Sequence, residues 1–221
     1  SIAESLGART TFRGWDGFIG QKQFATDQAK HDWVLNLDAD EWCDEKLIEA
    51  VRSLFENGAP NPATAYRIRR RNFYLGKWID HGSWSRDYVL RLFHRGYRRW
   101  GGYEPHAAIE GEGPIVSLPG RLQHEPYQNL HDHMGKVNRY TTAAAEHLKQ
   151  QGKAISIPGA LARALASLPR NYILRLGFLD GSRGLMIAVL TVFYIYLKWI
   201  KLWQLQRDQD PDKPPAGDSQ P

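Results

Sequence analysis

Residues His31–Glu41 read HDWVLNLDADE, and the two halves of this stretch differ sharply in character. Trp33, Val34, Leu35 and Leu37 form an apolar run that predicts a buried strand, and the run ends in three carboxylates, Asp38, Asp40 and Glu41. In open α/β sheets ligands bind outside the carboxyl ends of the strands. Side chains two apart on a strand share a face, so Asp38 and Asp40 are expected to point together into such a crevice. Two oxygen ligands there suit a hard divalent cation, Mg or Mn, which keeps waters and holds a diphosphate. The competing reading is structural: Asp40 or Asp44 caps the helix that begins near Glu45.

Working outward, a short strand is expected at Ala8–Phe12 and a helix over about Ile19–Lys30. After the LDADE strand, Leu47, Ile48, Val51, Leu54 and Phe55 form a helical stripe over Asp44–Phe55 that stops at Asn57-Gly58. Strand, helix, strand, helix at these spacings predicts a βαβ unit and a parallel sheet. Beyond GAPNPA the pattern changes. Ala65–Asn72 alternates Tyr66 and Ile68 with arginines, Asp87–His94 reads as another strand, and short β segments follow to His124. From Asn129 the chain reads as helical: one helix to Gly152, then another over Ile157–Leu176 that Pro169 should break. Leu185–Leu197 carries no charge and is followed by Lys198, Lys201 and tryptophans, which suits a helix lying at a bilayer surface. The competing reading is a core helix packed on the two before it. The tail from 207 to 221 is polar and proline-rich and is expected to be disordered.

Composition narrows the classes without choosing among them. A chain of 221 residues, 42% hydrophobic and 24% charged, can bury one ordinary core. A net charge of +5 favours anionic partners: phosphates, nucleic acid or acidic lipid. A single cysteine, Cys43, excludes an internal disulfide framework and fits a reducing compartment.

Six segments taken together, GWDGFIGQKQFA, DWVLNLDADE, RRRNFYLGKWIDHGSW, YVLRLFHR, KVNRYTTAAAE and LGFLDGSRGL, resemble the family 2 glycosyltransferases of lipopolysaccharide inner-core synthesis, the group of the heptose β-1,4-glucosyltransferases. The likeness runs to about Leu202. It implies an α/β, GT-A-like (Rossmann-like) sheet with a C-terminal helical extension. It also implies an inverting transfer from a nucleotide-sugar donor, a UDP-sugar, to a glycolipid acceptor at the cytoplasmic face of the bacterial inner membrane. On this reading residues 1–127 form the transferase domain and 128–206 a helical, membrane-associating extension. Ser1 corresponds to the helix that follows the family's first strand–helix–strand unit, so the sheet is expected to be truncated at its N-terminus. A second departure is PHAAIE, where many relatives carry His-Glu and this chain has Ala107.

With the resemblance added, Asp40 is the expected metal ligand and Asp38 is expected to bind the ribose or a metal-bound water, the two together holding the donor. Lys22 lies where related transferases place a cation near the diphosphate, although a solvated helix lysine is the plain alternative. An inverting transfer needs one general base. Asp87 leads for that role and His106 follows, with Glu104 and Asp80 behind them; for Asp87 the alternative is a carboxylate paired with Arg86 or Arg91. The arginines from Arg67 to Arg99 suit a phosphorylated acceptor or lipid headgroups, or else a solvated strand face. His131 and His133 are two apart on a helix and should not share a face. Other functions consistent with the residues are a non-catalytic module binding anionic glycolipid or membrane and a transferase acting on a polyprenyl-phosphate acceptor. LDADE argues against a nucleic-acid partner.

Overall fold

The expected βαβ unit does not form. Residues 8–12 make no strand, and Phe12 is 95% exposed, so this segment has no apolar partner to pair against. The computed structural model describes residues 2–104 and 106–208, so most of the tail expected to be disordered lies outside the described residues. In chain order the elements are α1 (Ile2–Ser5), α2 (Phe18–Asp27), β1 (Trp33–Leu35), β2 (Glu41–Cys43), α3 (Glu45–Phe55), β3 (Ala65–Tyr74), β4 (Lys77–Ile79), β5 (Tyr88–His94), β6 (Arg99–Tyr103), β7 (His106–Glu110), β8 (Ile115–His124), α4 (Leu130–Gln150), α5 (Ile157–Pro169) and α6 (Ser182–Arg207). The main sheet has the order β1-β5-β3-β8-β2 with β4 paired to β3, and β6 and β7 form a separate ribbon. β1 runs antiparallel to β5, and β2 antiparallel to β8, in place of the parallel pairing expected from strand–helix spacing. The result is a mixed α/β, GT-A-like architecture followed by helices.

By compactness the chain divides into two units interleaved in sequence. The first comprises Ser1–Asn36, Pro60–Tyr66 and Leu90–Val116; the second comprises Leu37–Ala59, Arg67–Val89 and the described part of Ser117–Pro221. In the first unit α2 has no side-chain cap of its own, and Glu104 in the β6–β7 turn supplies one by accepting from Ile19 N at 2.9 Å. Trp100 on β6 is buried against this helix and donates Nε1–H to Thr26 Oγ1 at 3.1 Å.

In the second unit Asp44 caps α3, accepting from Leu47 N at 2.8 Å, and Leu47 is fully buried. β8 approaches so closely that a Cβ on Gly120 (φ +89°) would lie 2.3 Å from Leu47 N, so only glycine fits there. Tyr74, Ile79 and Ile187 form a core with Trp84, Tyr127 and Leu190 packed on it. His133 on α4 joins this core: its Nδ1 lies 2.8 Å from Tyr74 Oη, and its ring stacks on Tyr127 at 3.9 Å. Burial pushes the His133 imidazole down from 6.5 to about 4. Between these values the unfolded chain takes up a proton that the folded chain refuses. The contribution of His133 to stability is therefore constant well above pH 6.5 and falls as the pH drops toward 4. From pH 7.5 to 4.5 the wild type should lose about 2 to 3 kcal/mol more than His133→Gln, measured by urea unfolding. Equal losses would contradict the buried neutral ring.

Candidate active site

β1 ends at Leu35, so Asp38 and Asp40 sit on a turn and not on a strand. The strand-alternation argument therefore does not apply, although the charge of Asp38 is still felt at Asp40 across the turn. It closes with Glu41 N donating to Asp38 O at 3.0 Å. Asp40 is held by its backbone, its carbonyl accepting from Glu125 N at 3.0 Å. Its Oδ2 lies 3.6 Å from His124 Nε2, and the other ring nitrogen of His124 lies 2.6 Å from Asn72 Oδ1 in the buried interior. His124 holds the Asp40 carboxyl below its usual range, against burial and against the nearby charge of Asp38, so it remains ionised.

The third carboxylate has a different task. Glu41 is fully buried at its side chain; Oε2 accepts from Asp38 N at 3.1 Å and Oε1 accepts from Arg70 Nη1 at 3.1 Å. Arg70 in turn binds Asp87, with Nε at 2.8 Å and Nη2 at 2.7 Å from the same oxygen, Oδ2. Burial works against the charge on Arg70, and Asp87 and Glu41 together outweigh it, raising its pKa. A continuous chain of bonds thus runs Asp38–Glu41–Arg70–Asp87. Asp87 is paired with Arg70, where the sequence suggested Arg86 or Arg91.

Asp40 also borders a cleft of ≈ 430 Å³, whose walls include Glu125, His131, Asp132, Lys136 and Arg139. Asn129 caps α4 by accepting from Asp132 N at 2.9 Å, which fixes the helix turn that carries this wall. Lys136 lies 3.2 Å from Asp132 Oδ2. The cleft therefore pairs the carboxylate of Asp40 with two cations on the KVNRY segment. Among the described residues no group of three or more His, Cys, Asp or Glu is placed to hold a metal. Asp38 and Asp40 are oxygen donors of the kind a hard cation takes, with water and phosphate oxygens completing its shell.

The remaining candidates have surroundings of their own. Lys22 and His106 belong to the first unit, and Asp38 and Asp40 to the second. Lys22 Nζ lies 4.8 Å from the centre of the Trp100 ring, and His106 is exposed on β7 beside Tyr103. Asp80 is tied to Arg71 and, at 3.0 Å, to Arg121. Much of the arginine density is structural: Arg98 is buried and donates to the carbonyls of Gly111, Glu112 and Gly113, and Arg95 binds Asp32. His131 is exposed while His133 is buried, so they do not form a pair. The sequence reading missed His124, Arg139 and the Glu41–Arg70 link. The RRR run and the KVNRY segment were its only signals for them.

The family model described as glycosyl transferase family 2 matches residues 1–111. A lipopolysaccharide core biosynthesis glycosyltransferase, LpsC, of Rhizobium meliloti is 29% identical over 203 residues, covering 89% of this chain and 73% of that protein. Uncharacterised glycosyltransferases of Rickettsia typhi and Rickettsia prowazekii are each 25% identical over 213 residues, 92% of this chain and 73% of each relative. With a family model covering half of its length, this chain belongs to glycosyl transferase family 2 and is a glycosyltransferase.

Proposed function

We propose that the protein transfers a hexose, glucose in the first instance, from a UDP-sugar to a lipopolysaccharide inner-core or similar glycolipid acceptor, with inversion at the anomeric carbon. The observation that carries this reading is Asp40, on the LDADE turn, bordering a cleft that also bears Lys136 and Arg139. Carboxylates for a cation beside cations for phosphate match the needs of a nucleotide-sugar diphosphate. A Mg or Mn ion held by Asp40 and Asp38 would supply Lewis-acid stabilisation of the departing diphosphate.

The chain's own groups do the rest. Arg70 engages only Oδ2 of Asp87, leaving Oδ1 outside the fork. That oxygen takes the proton of the acceptor hydroxyl as its oxygen bonds to the anomeric carbon. The bond to the diphosphate breaks, and the nucleoside diphosphate leaves with the electron pair. His106 is the second candidate base, and Lys22 adds a cation toward the donor. The named function of LpsC supports a lipopolysaccharide core acceptor, and the proposed site of transfer is the cytoplasmic face of the inner membrane.

The test is release of nucleoside diphosphate from UDP-hexoses with and without a lipopolysaccharide core acceptor. Release stimulated by acceptor and removed by EDTA is expected. Absence of release from every donor offered would overturn the assignment of substrate.

A further inference from the structure

The hairpin formed by α5 and α6 is turned inside out relative to a soluble helix pair. On α5 the buried residues are Ala160, Ala164 and Ser167, whereas Leu161, Leu165 and Leu168 are exposed. On α6 the buried face near the hairpin is Gly184, Ile187 and Ala188, and Leu185, Val189 and Phe193 are exposed. The two helices pack against each other. Mostly small residues inward, Ile187 excepted, with large apolar residues outward is the arrangement of helices whose surroundings are lipid. In water a helix presents polar residues on that side.

The connection between the helices has the same character. Within Ile173–Leu179 five large apolar side chains are exposed, including Leu174 at 77%, Ile173 at 59% and Leu179 at 53%. Loops ordinarily face water with polar residues, and this one is firmly held. Asp180 is buried and accepts from His81 N at 2.8 Å, its carbonyl accepts from Lys77 Nζ at 3.0 Å, and Gly82 N donates to Arg175 O at 2.9 Å. A Cβ on Gly184 would lie 1.8 Å from Gly177 O, so α6 begins in direct contact with the turn.

Charge completes the picture. Between residues 154 and 207 there are seven basic residues and one acid, the buried Asp180. Arg163, Arg170 and Arg175 are exposed beside the apolar residues. Exposed apolar residues on both helices and the turn between them, accompanied by exposed cations, fit an anionic bilayer.

We propose that the exposed face of the α5–α6 hairpin, with the 173–179 turn at its tip, docks in the headgroup region of an anionic bilayer without crossing it. The proposal rests on the reading above that the acceptor is a membrane glycolipid. α6 is long and apolar enough to cross a membrane by length and composition. It is held at both ends, however, on polar parts of its own unit: at the start through Asp180, and near its end through Lys201, which donates to Asn138 O at 2.8 Å and Thr141 Oγ1 at 2.9 Å on α4. These ties favour a helix lying along the surface.

The experiment is flotation of the protein with phosphatidylcholine vesicles, with and without phosphatidylglycerol. It uses the wild type, the double variant Leu174→Glu/Leu179→Glu and the double variant Arg170→Gln/Arg175→Gln. The wild type should float with anionic vesicles and be released by alkaline carbonate. The leucine variant should lose at least tenfold in the bound fraction, with unchanged melting temperature and unchanged nucleoside diphosphate release to a lipid-free acceptor. The arginine variant should lose binding only to the anionic vesicles. Three results would overturn the proposal: a leucine variant that floats like the wild type, wild type that resists carbonate extraction as a spanning protein does, or wild type that dimerises without lipid through these leucines. Flotation without any sugar transfer would instead overturn the function assigned above and leave the docking face standing.

Discussion

Asp40→Ala is expected to lower transfer at least a hundredfold, and to remove the dependence of donor binding on Mg or Mn, while the protein stays folded. The size follows from the position of the group. On the function proposed above, Asp40 would hold the cation that stabilises the departing diphosphate, and removing one such preorganised contribution typically costs about 10²–10³ in turnover. The fold should be little affected because the turn is held by backbone bonds, Glu41 N to Asp38 O and Glu125 N to Asp40 O, neither of which needs the Asp40 carboxylate. That carboxylate lies beside His124, at 3.6 Å, and His124 keeps its bond to Asn72 when Asp40 is truncated. Asp40→Asn separates charge from shape: it should fall as far in turnover as alanine does if the carboxylate binds a cation. Turnover within twofold of wild type for either variant would remove the Asp38–Asp40 turn from the mechanism. A large fall in melting temperature would move the effect from chemistry to stability.

How much of this was legible in the sequence depends on the range of the interactions involved. Local signals read through well: the stripe Leu47, Val51, Leu54 with its Asp44 cap became α3, and Pro169 ended α5, where the chain passes into a π-helical turn over Arg170–Leu174. Strand pairing did not. The spacing of apolar runs cannot reveal that β1 pairs with β5, some 60 residues away, or that Ala8–Phe12 finds no partner, because register is set by contacts distant in sequence. The same limit governs the site. LDADE announced three carboxylates, but only the fold shows that Asp40 meets His124 from β8, while Glu41 turns inward to Arg70 on β3. The apolar run of α6 was visible, yet the outward leucines of α5 were hidden, since LARALASL has the same helical period whichever face is buried.

Glu41→Ala should destabilise the protein by about 3 to 5 kcal/mol, the cost of removing one partner from a buried ion pair and leaving the other uncompensated. Arg70 would keep Asp87 but lose its buried acceptor, and Asp38 N would lose the carboxylate that holds it in the turn. Replacing both members changes the outcome. In Glu41→Met/Arg70→Met the buried pair is removed together, and buried pairs exchanged for apolar residues of similar size are often close to neutral, although the partly exposed Asp87 loses its Arg70 partner. The double variant should therefore be clearly more stable than the sum of the single changes predicts, with a coupling of about 1 to 3 kcal/mol by urea unfolding. Its activity should not recover in parallel, because Asp38 would still lack the Glu41 acceptor and Asp87 would lack the Arg70 fork. A folded Glu41→Met/Arg70→Met protein with impaired divalent-dependent donor binding would assign this pair to positioning the site. Full activity in that variant would show the pair to be structural alone, and strict additivity of the two single changes would show that Glu41 and Arg70 act independently.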